Sequence, residues 1–228
     1  MIINIISFLD INNVFFTVLG YDMSYIEFFG TLLNILSVYL VSKNKILNWP
    51  VGIIASVLFM FLFWQIQLYS DFTEQIYYIV TGFWGWVAWK NSSNNPLEEA
   101  KIQKITTLKK EEIIFFTKVV LIGTIFLGIF MGSADKILPT IFTQPASYVY
   151  LDAFTTVLSF MATYLLIKRK IESWYIWIFV DVIAIWLYYV KDVKFVALLY
   201  IVFLILATYG LLTWKKIMLQ QKYDEQKI

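Results

Sequence analysis

Asp181 lies in the middle of the apolar run Trp174 to Val190, with Trp174, Trp177 and Tyr188 at the spacing i, i+3, i+7, i+14. That spacing lines one carboxylate and three aromatic rings along a single helix face. An ionised carboxylate in hydrocarbon costs on the order of 3 kcal/mol, so it requires a cation, a water-filled cavity or a proton. Aromatic walls stack on a flat ring and attract a cation through their π-faces. The set describes a site for a cationic, hydrogen-bonding ligand; the alternative is a protonated aspartate bonded to a neighbouring helix.

Gln75, Tyr78, Gly82, Trp86 and Trp89 form a second helical stripe, bringing an amide, a phenol and indoles to one face. Gln75 and Tyr78 can hydrogen-bond a carboxamide or sugar hydroxyls, or cap the outer end of a helix beside Asp71 and Glu74. Asn34, Ser56 and Ser159 each fall at the centre of an apolar stretch, where polar groups are costly and mark a pathway. Glu27 and Asp152, with Thr31 and Thr156 one turn deeper, either attract a cation at the outer side or satisfy helix dipoles.

The elements that position these residues are written twice. Glu27 to Lys90 recurs as Asp152 to Lys215 at a constant offset of 125, with 16 of 64 positions identical and no gap. Trp49 falls on Trp174, Gly85 on Gly210, Trp89-Lys90 on Trp214-Lys215, Asn34 on Ser159, and Ser56 on Asp181. Hydrophobic residues make up 60 % and charged ones only 15 %, against about 25 % charged in soluble domains. The expected fold is therefore an all-α integral membrane protein. Seven spans are expected at roughly 25–42, 50–66, 74–89, 113–132, 150–167, 174–190 and 197–214. Three spans reverse the chain, so the extra crossing at 113–132 lets both copies run parallel, a layout typical of transporters.

The expected organisation is a single membrane domain: a segment 1–24, a three-helix repeat 25–90, a linker with its crossing helix 91–149, a second repeat 150–216 and a cytoplasmic tail 217–228. The first segment lacks a basic n-region and is interrupted by Asp10, Asn12 and Asn13, so it reads as an interfacial helix and not a signal peptide. The mixed-charge connection 90–112 reads as a solvated linker. Fourteen loop Lys and Arg fall on one side against Lys136, Lys191 and Lys194 on the other, which places the N-terminus outside and the C-terminus in the cytoplasm.

Trp49, Trp89, Trp174 and Trp214 sit at span ends and are expected to act as interfacial anchors; Trp177 and Trp86 lie deeper. Gly85 and Gly210 should allow close helix contact, and Pro50 suits the first position of a helix. The chain has no His and no Cys, which excludes imidazole and thiol catalysis, disulfides and the common zinc sets. Paired midplane carboxylates are also absent, so no enzyme is expected, and no cofactor. A net charge of +2 gives no case for nucleic acid.

The runs NWPVGIIASVLFMFLFWQIQLYSDFTEQIYYIVTGFWGWVAWK and ESWYIWIFVDVIAIWLYY resemble the PnuC family of bacterial vitamin transporters. The likeness rests on the WP opening, Tyr-Ser-Asp before Gln-x-x-Tyr, the GWxxW ending and WxxWxxxD in the second copy, and spans about Tyr25 to Lys216. It implies a SWEET-like fold of three plus one plus three helices, a homotrimer in the bacterial inner membrane, and facilitated diffusion of nicotinamide riboside. Uptake would be drawn by phosphorylation inside the cell. By motif position Trp174, Trp177, Asp181, Gln75 and Tyr78 become expected substrate contacts. A pyridinium with a carboxamide and a ribose suits them, and a phosphate would be repelled by Asp181. Relatives handle thiamine or riboflavin, which stay open as substrates. Lys191-Asp192 stands where many members have Lys-Gly. A proton- or cation-coupled carrier in which Asp181 titrates is the second reading; a scaffold protein would need no polar midplane layer.

Overall fold

The computed structural model describes residues 5–18, 20–66, 69–90, 104–137, 148–190 and 194–226. The chain divides into two compact units, residues 1–90 and 91–228. The expected loop feature Lys191-Asp192 lies outside the described residues, as does most of the 91–112 connection.

The first unit opens with one helical turn, α1 (Ile5–Phe8), and an antiparallel hairpin, β1 (Val14–Val18) and β2 (Tyr21–Ser24). This corrects the expected interfacial helix. Asp10 ends the helical turn, because its side chain accepts the Asn12 N–H at 2.9 Å in an Asx turn. The β-branched and aromatic run Val-Phe-Phe-Thr-Val then favours a strand, and Gly20 supplies the left-handed turn at φ 82°. Phe15 and Phe16 pack against Phe28 and Phe29 of the next helix. Gln65 ties the segment down, donating to the Leu9 carbonyl at 2.7 Å and accepting the Ile11 N–H.

Three long helices follow: α2 (Tyr25–Ser42), α3 (Asn48–Gln65) and α4 (Tyr69–Lys90), with α3 packed on both others. Ser24 caps α2 by accepting the Glu27 N–H. Pro50 is the third residue of α3 and not the first, still within the turn whose N–H groups have no helical partner. The second unit holds α5 (Lys110–Met131), the short α6 (Ala134–Ile137), α7 (Val149–Ile167), α8 (Glu172–Val190) and α9 (Lys194–Glu225). Here α5 packs on α7, α7 on α8, and α8 on α9. Among the described residues, six helices are long and apolar enough to cross a membrane; α4 is the long helix that does not qualify. Its 22 residues suffice in length, but Asp71, Glu74 and Gln75 crowd its first turns.

The 125-residue offset carries one local structure onto another. Asn44 and Arg169 are both left-handed, at φ 54° and 50°. Lys45 N–H reaches the Leu40 carbonyl at 3.0 Å, and Lys170 N–H reaches Leu165 at 2.8 Å. Lys43 lies over the Tyr39 ring and Lys168 over Tyr164, at 5.8 and 5.9 Å. Trp49 meets Trp89 edge-on at 5.3 Å, and Trp174 meets Trp214 at 5.6 Å. A Cβ on Gly85 would stand 2.5 Å from Trp49, and one on Gly210 would stand 2.5 Å from Trp174. The four tryptophans are therefore buried, Trp174 at 1 % exposure and Trp214 at 0 %, which corrects the anchor expectation. In lipid the gain comes from close van der Waals packing at small residues and not from exclusion of water.

The end of the linker is solvated only in part, with Thr107, Lys109, Lys110 and Glu111 exposed. Ile105 is fully buried, Thr106 bridges to Lys170, and Glu112 caps α5 by accepting the Lys109 N–H at 2.7 Å. The expected tail is helical to Glu225, joined to Lys104 by an ion pair.

Candidate functional site

Four of the polar residues singled out in the sequence fall at helix centres, whereas Gln75 lies in the first third of α4 and Glu27 and Asp152 lie in first turns. Asp181 is the midpoint of α8; Asn34, Ser56 and Ser159 lie within one residue of the midpoints of α2, α3 and α7. α8 needs no special sequence to stay helical, since it contains neither Gly nor Pro between Glu172 and Val190. Asp181 is only 3 % exposed, and its Oδ2 is buried without a hydrogen-bond partner among the described residues. A polar atom in that state carries its full desolvation cost until something pairs with it.

Around Asp181 the helix presents three different aromatic environments. Trp177 is half-buried and packs on the cluster of Val120, Leu158, Met161, Leu165 and Val180. Leu158 and Val180 adjoin Ser159 and Asp181, so those two buried polar residues share the level of that cluster. Trp174 sits one turn further back, its ring edge filling the notch at Gly210. Tyr188 stacks on Tyr200 of α9, centroids 5.4 Å apart and planes 15° apart. Tyr200 was not singled out in the sequence, although the offset aligns it with Gln75.

In the first unit Asn34, Ser56, Gln75 and Tyr78 are half-buried, while Trp86 is 36 % exposed on the flank of α4. The α3–α4 seam is set by Gly82 against Ile53 and Gly85 against Trp49. Continuing that antiparallel register by one turn brings Ser56 opposite Tyr78. Two buried hydroxyls that the sequence did not flag, Thr81 and Thr163, donate to the Tyr77 and Ser159 carbonyls of their own helices. They are satisfied locally. A shallow apolar cavity of about 280 Å³ lies between Met60, Phe61, Trp64 and Phe72, and none of the candidate site residues lines it. Among the described residues no group of three or more acidic side chains is arranged to hold a metal.

Among the described residues outside the long helices, two groups have shifted acidity. Burial, reinforced by the hydrogen bond it donates to Glu27, pushes the Tyr21 phenol well above its ordinary range. Burial also lowers the Arg169 guanidinium to about 10; it remains a cation at neutral pH.

Within the second unit the arrangement is a buried carboxylate oxygen of Asp181 without a partner among the described residues, with Trp177 one helical turn away and the buried Ser159 at the level of the same cluster. The nicotinamide riboside transporter PnuC of Escherichia coli is 29 % identical over 86 % of this chain and 87 % of its own length. A riboflavin/roseoflavin transporter of Streptomyces davaonensis is 18 % identical over 90 % of this chain and 91 % of its own. The crystal structure of a vitamin B3 transporter, PnuC, superposes with a TM-score of 0.65 at 22 % identity, covering 86 % of this chain and 83 % of that one, a likeness of fold. The family model described as nicotinamide mononucleotide transporter matches residues 24–216, and the chain belongs to that family of membrane transporters.

Proposed function

We propose that the protein carries nicotinamide riboside across the bacterial inner membrane by facilitated diffusion with alternating access, net uptake being drawn by phosphorylation of the substrate inside the cell. The observation that carries this reading is the buried, unpartnered Asp181 oxygen beside Trp177. A pyridinium supplies the missing charge partner and stacks on an indole. The 29 % identity to a nicotinamide riboside transporter, against 18 % to a riboflavin transporter, favours this vitamin.

In this reading Asp181 and Trp177 take the pyridinium ring, with Trp174 behind them and Tyr188 at the outer approach. Gln75 and Tyr78 bond the carboxamide and ribose, and Asn34, Ser56 and Ser159 complete the polar layer. Trp86, more exposed than the rest, is a contact only in a closed state. α4 supplies the seventh crossing: 22 residues span about 33 Å, enough for a hydrocarbon core of about 30 Å. The helices then count three, one and three as two parallel repeats, a reading supported by the duplicated turn, Trp-Gly notch and cation–ring pair. The N-terminus faces outward, the C-terminus faces the cytoplasm, and the carrier assembles as a homotrimer.

Calorimetric titration of the detergent-purified protein tests the reading. Nicotinamide riboside should bind, and nicotinamide mononucleotide should not, because its phosphate is repelled by Asp181. Tighter binding of riboflavin or thiamine would assign a different vitamin to the same site.

A further inference from the structure

One segment of the second unit is tied together more heavily than a linker requires. Thr106 donates its N–H to the Arg169 carbonyl at 3.1 Å and accepts the Ile171 N–H at 3.0 Å, bracketing the turn that enters α8. Two residues later the Leu108 N–H donates to Glu172 Oε1 at 2.9 Å, on the first residue of α8. Lys170 Nζ donates to the Thr107 carbonyl at 3.1 Å and lies 3.5 Å from Glu112. At the other edge the Ile105 N–H donates to Gln221 of α9 at 3.2 Å, and the Ile105 side chain is fully buried.

The turn so held is strained. Arg169 is in the left-handed region at φ 50° and is buried, a conformation unfavourable for a residue with a Cβ. Its counterpart Asn44 adopts the same φ with a side chain that tolerates it far better. A strained residue persists where its surroundings over-determine it, and such residues cluster at functional elements. What this turn sets is the start of α8. Asp181 lies nine residues beyond Glu172, about 13.5 Å along the axis, so a tilt of about ten degrees at the turn moves Asp181 by roughly 2 Å. Binding groups need to be held more tightly than that.

We propose that residues 104–109 are a positioning strap for α8, with Glu172 as the positioning residue through which they fix Trp177 and Asp181 for substrate recognition. The proposal rests on the riboside reading above. Glu172 is well placed for the role: a carboxylate in the first turn is favoured by the helix dipole, and its bond to the Leu108 N–H is charge-assisted.

The test compares Glu172→Ala, Glu172→Gln and Gln221→Ala by riboside titration and by hydrogen exchange of the first two turns of α8. Glu172→Ala is expected to weaken binding about tenfold, the loss of one such bond, and to speed exchange at residues 172–178. Glu172→Gln should recover most of both, since its amide oxygen still accepts the Leu108 N–H, the shortfall being the lost charge assistance. Gln221→Ala, which loosens the far edge of the strap without altering α8, should shift both readouts in the same direction by less, and it serves alone if Glu172→Ala cannot be purified. Unchanged affinity in Glu172→Ala and Gln221→Ala overturns the proposal. So does an equal loss in Glu172→Gln, which would make charge and not the bond responsible. A wild-type protein that binds no riboside, with exchange responding as stated, overturns the riboside reading itself.

Discussion

A carboxylate oxygen with no partner at the centre of a membrane helix is kept there against its own solvation, so Asp181 should cost the empty protein stability and return it on binding. Asp181→Asn keeps the shape and removes the charge, and burying an uncompensated charge is the dearer of the two. The expected result is an empty-state melting temperature equal to or above that of the wild type, together with riboside affinity at least tenfold weaker, read by thermal unfolding and calorimetry. Unchanged affinity would remove Asp181 from the site. Trp177→Ala should also lose affinity, by about 1–3 kcal/mol, the usual range for aromatic and cation–π contacts that are partly desolvated. The burial of Asp181 at a helix centre was legible in the sequence because it falls in the middle of an apolar run. The difference between Trp177, packed on the α5–α7–α8 cluster, and Trp86, exposed on α4, was not, because both read as deep indoles at helical spacing.

At the level of elements, the Trp-Gly notches decide how closely α4 approaches α3 and α9 approaches α8. Gly85→Ala and Gly210→Ala would each drive a methyl into an indole at 2.5 Å, against a ring already fixed edge-on by a second tryptophan. Overpacking of this kind typically costs about 1–3 kcal/mol. The expected outcome is a lower melting temperature in detergent for both variants, of similar size because the two notches are alike. A large loss in one and none in the other would mean that the two seams do not share the same mechanics. Helix positions and the duplicated turn could be read from the sequence, since an ungapped offset of 125 residues preserves hydrophobic period, loop length and punctuation together. The burial of the tryptophans could have been read too: in each copy a Gly precedes the last Trp by four residues, and Trp49 and Trp174 recur with them. The general preference of indoles for the membrane interface outweighed that signal. The hairpin was missed because its alternation is short and lies next to Asp10 and two asparagines. The strap was missed because its bonds join residues 64 and 116 positions apart, a separation that a mixed-charge segment does not betray.

For the whole molecule, the consequence of carrying a pyridinium is electrical. Whatever charge Asp181 bears in the empty carrier returns with it, so each cycle moves one net positive charge with the substrate and none besides. Uniport of that kind equilibrates the substrate electrochemically: a potential of 100 mV, negative inside, is worth about 2.3 kcal/mol per charge, or roughly a fifty-fold accumulation. In proteoliposomes, a potassium diffusion potential should therefore drive riboside uptake to a ratio of that order, while a proton gradient imposed with the potential clamped at zero should drive none. Accumulation on the proton gradient alone would establish the coupled carrier, with Asp181 as the group that takes the proton. Accumulation under neither condition, with binding intact, would mean that another ion moves with or against the substrate and cancels its charge. The absence of histidine, the usual proton relay near neutral pH, leaves Asp181 as the residue on which that distinction turns, and Asp181→Asn in the same vesicles separates the cases. In a uniporter the variant slows uptake yet reaches the same final ratio, because a weaker site changes the rate and not the equilibrium; in a coupled carrier the ratio itself collapses.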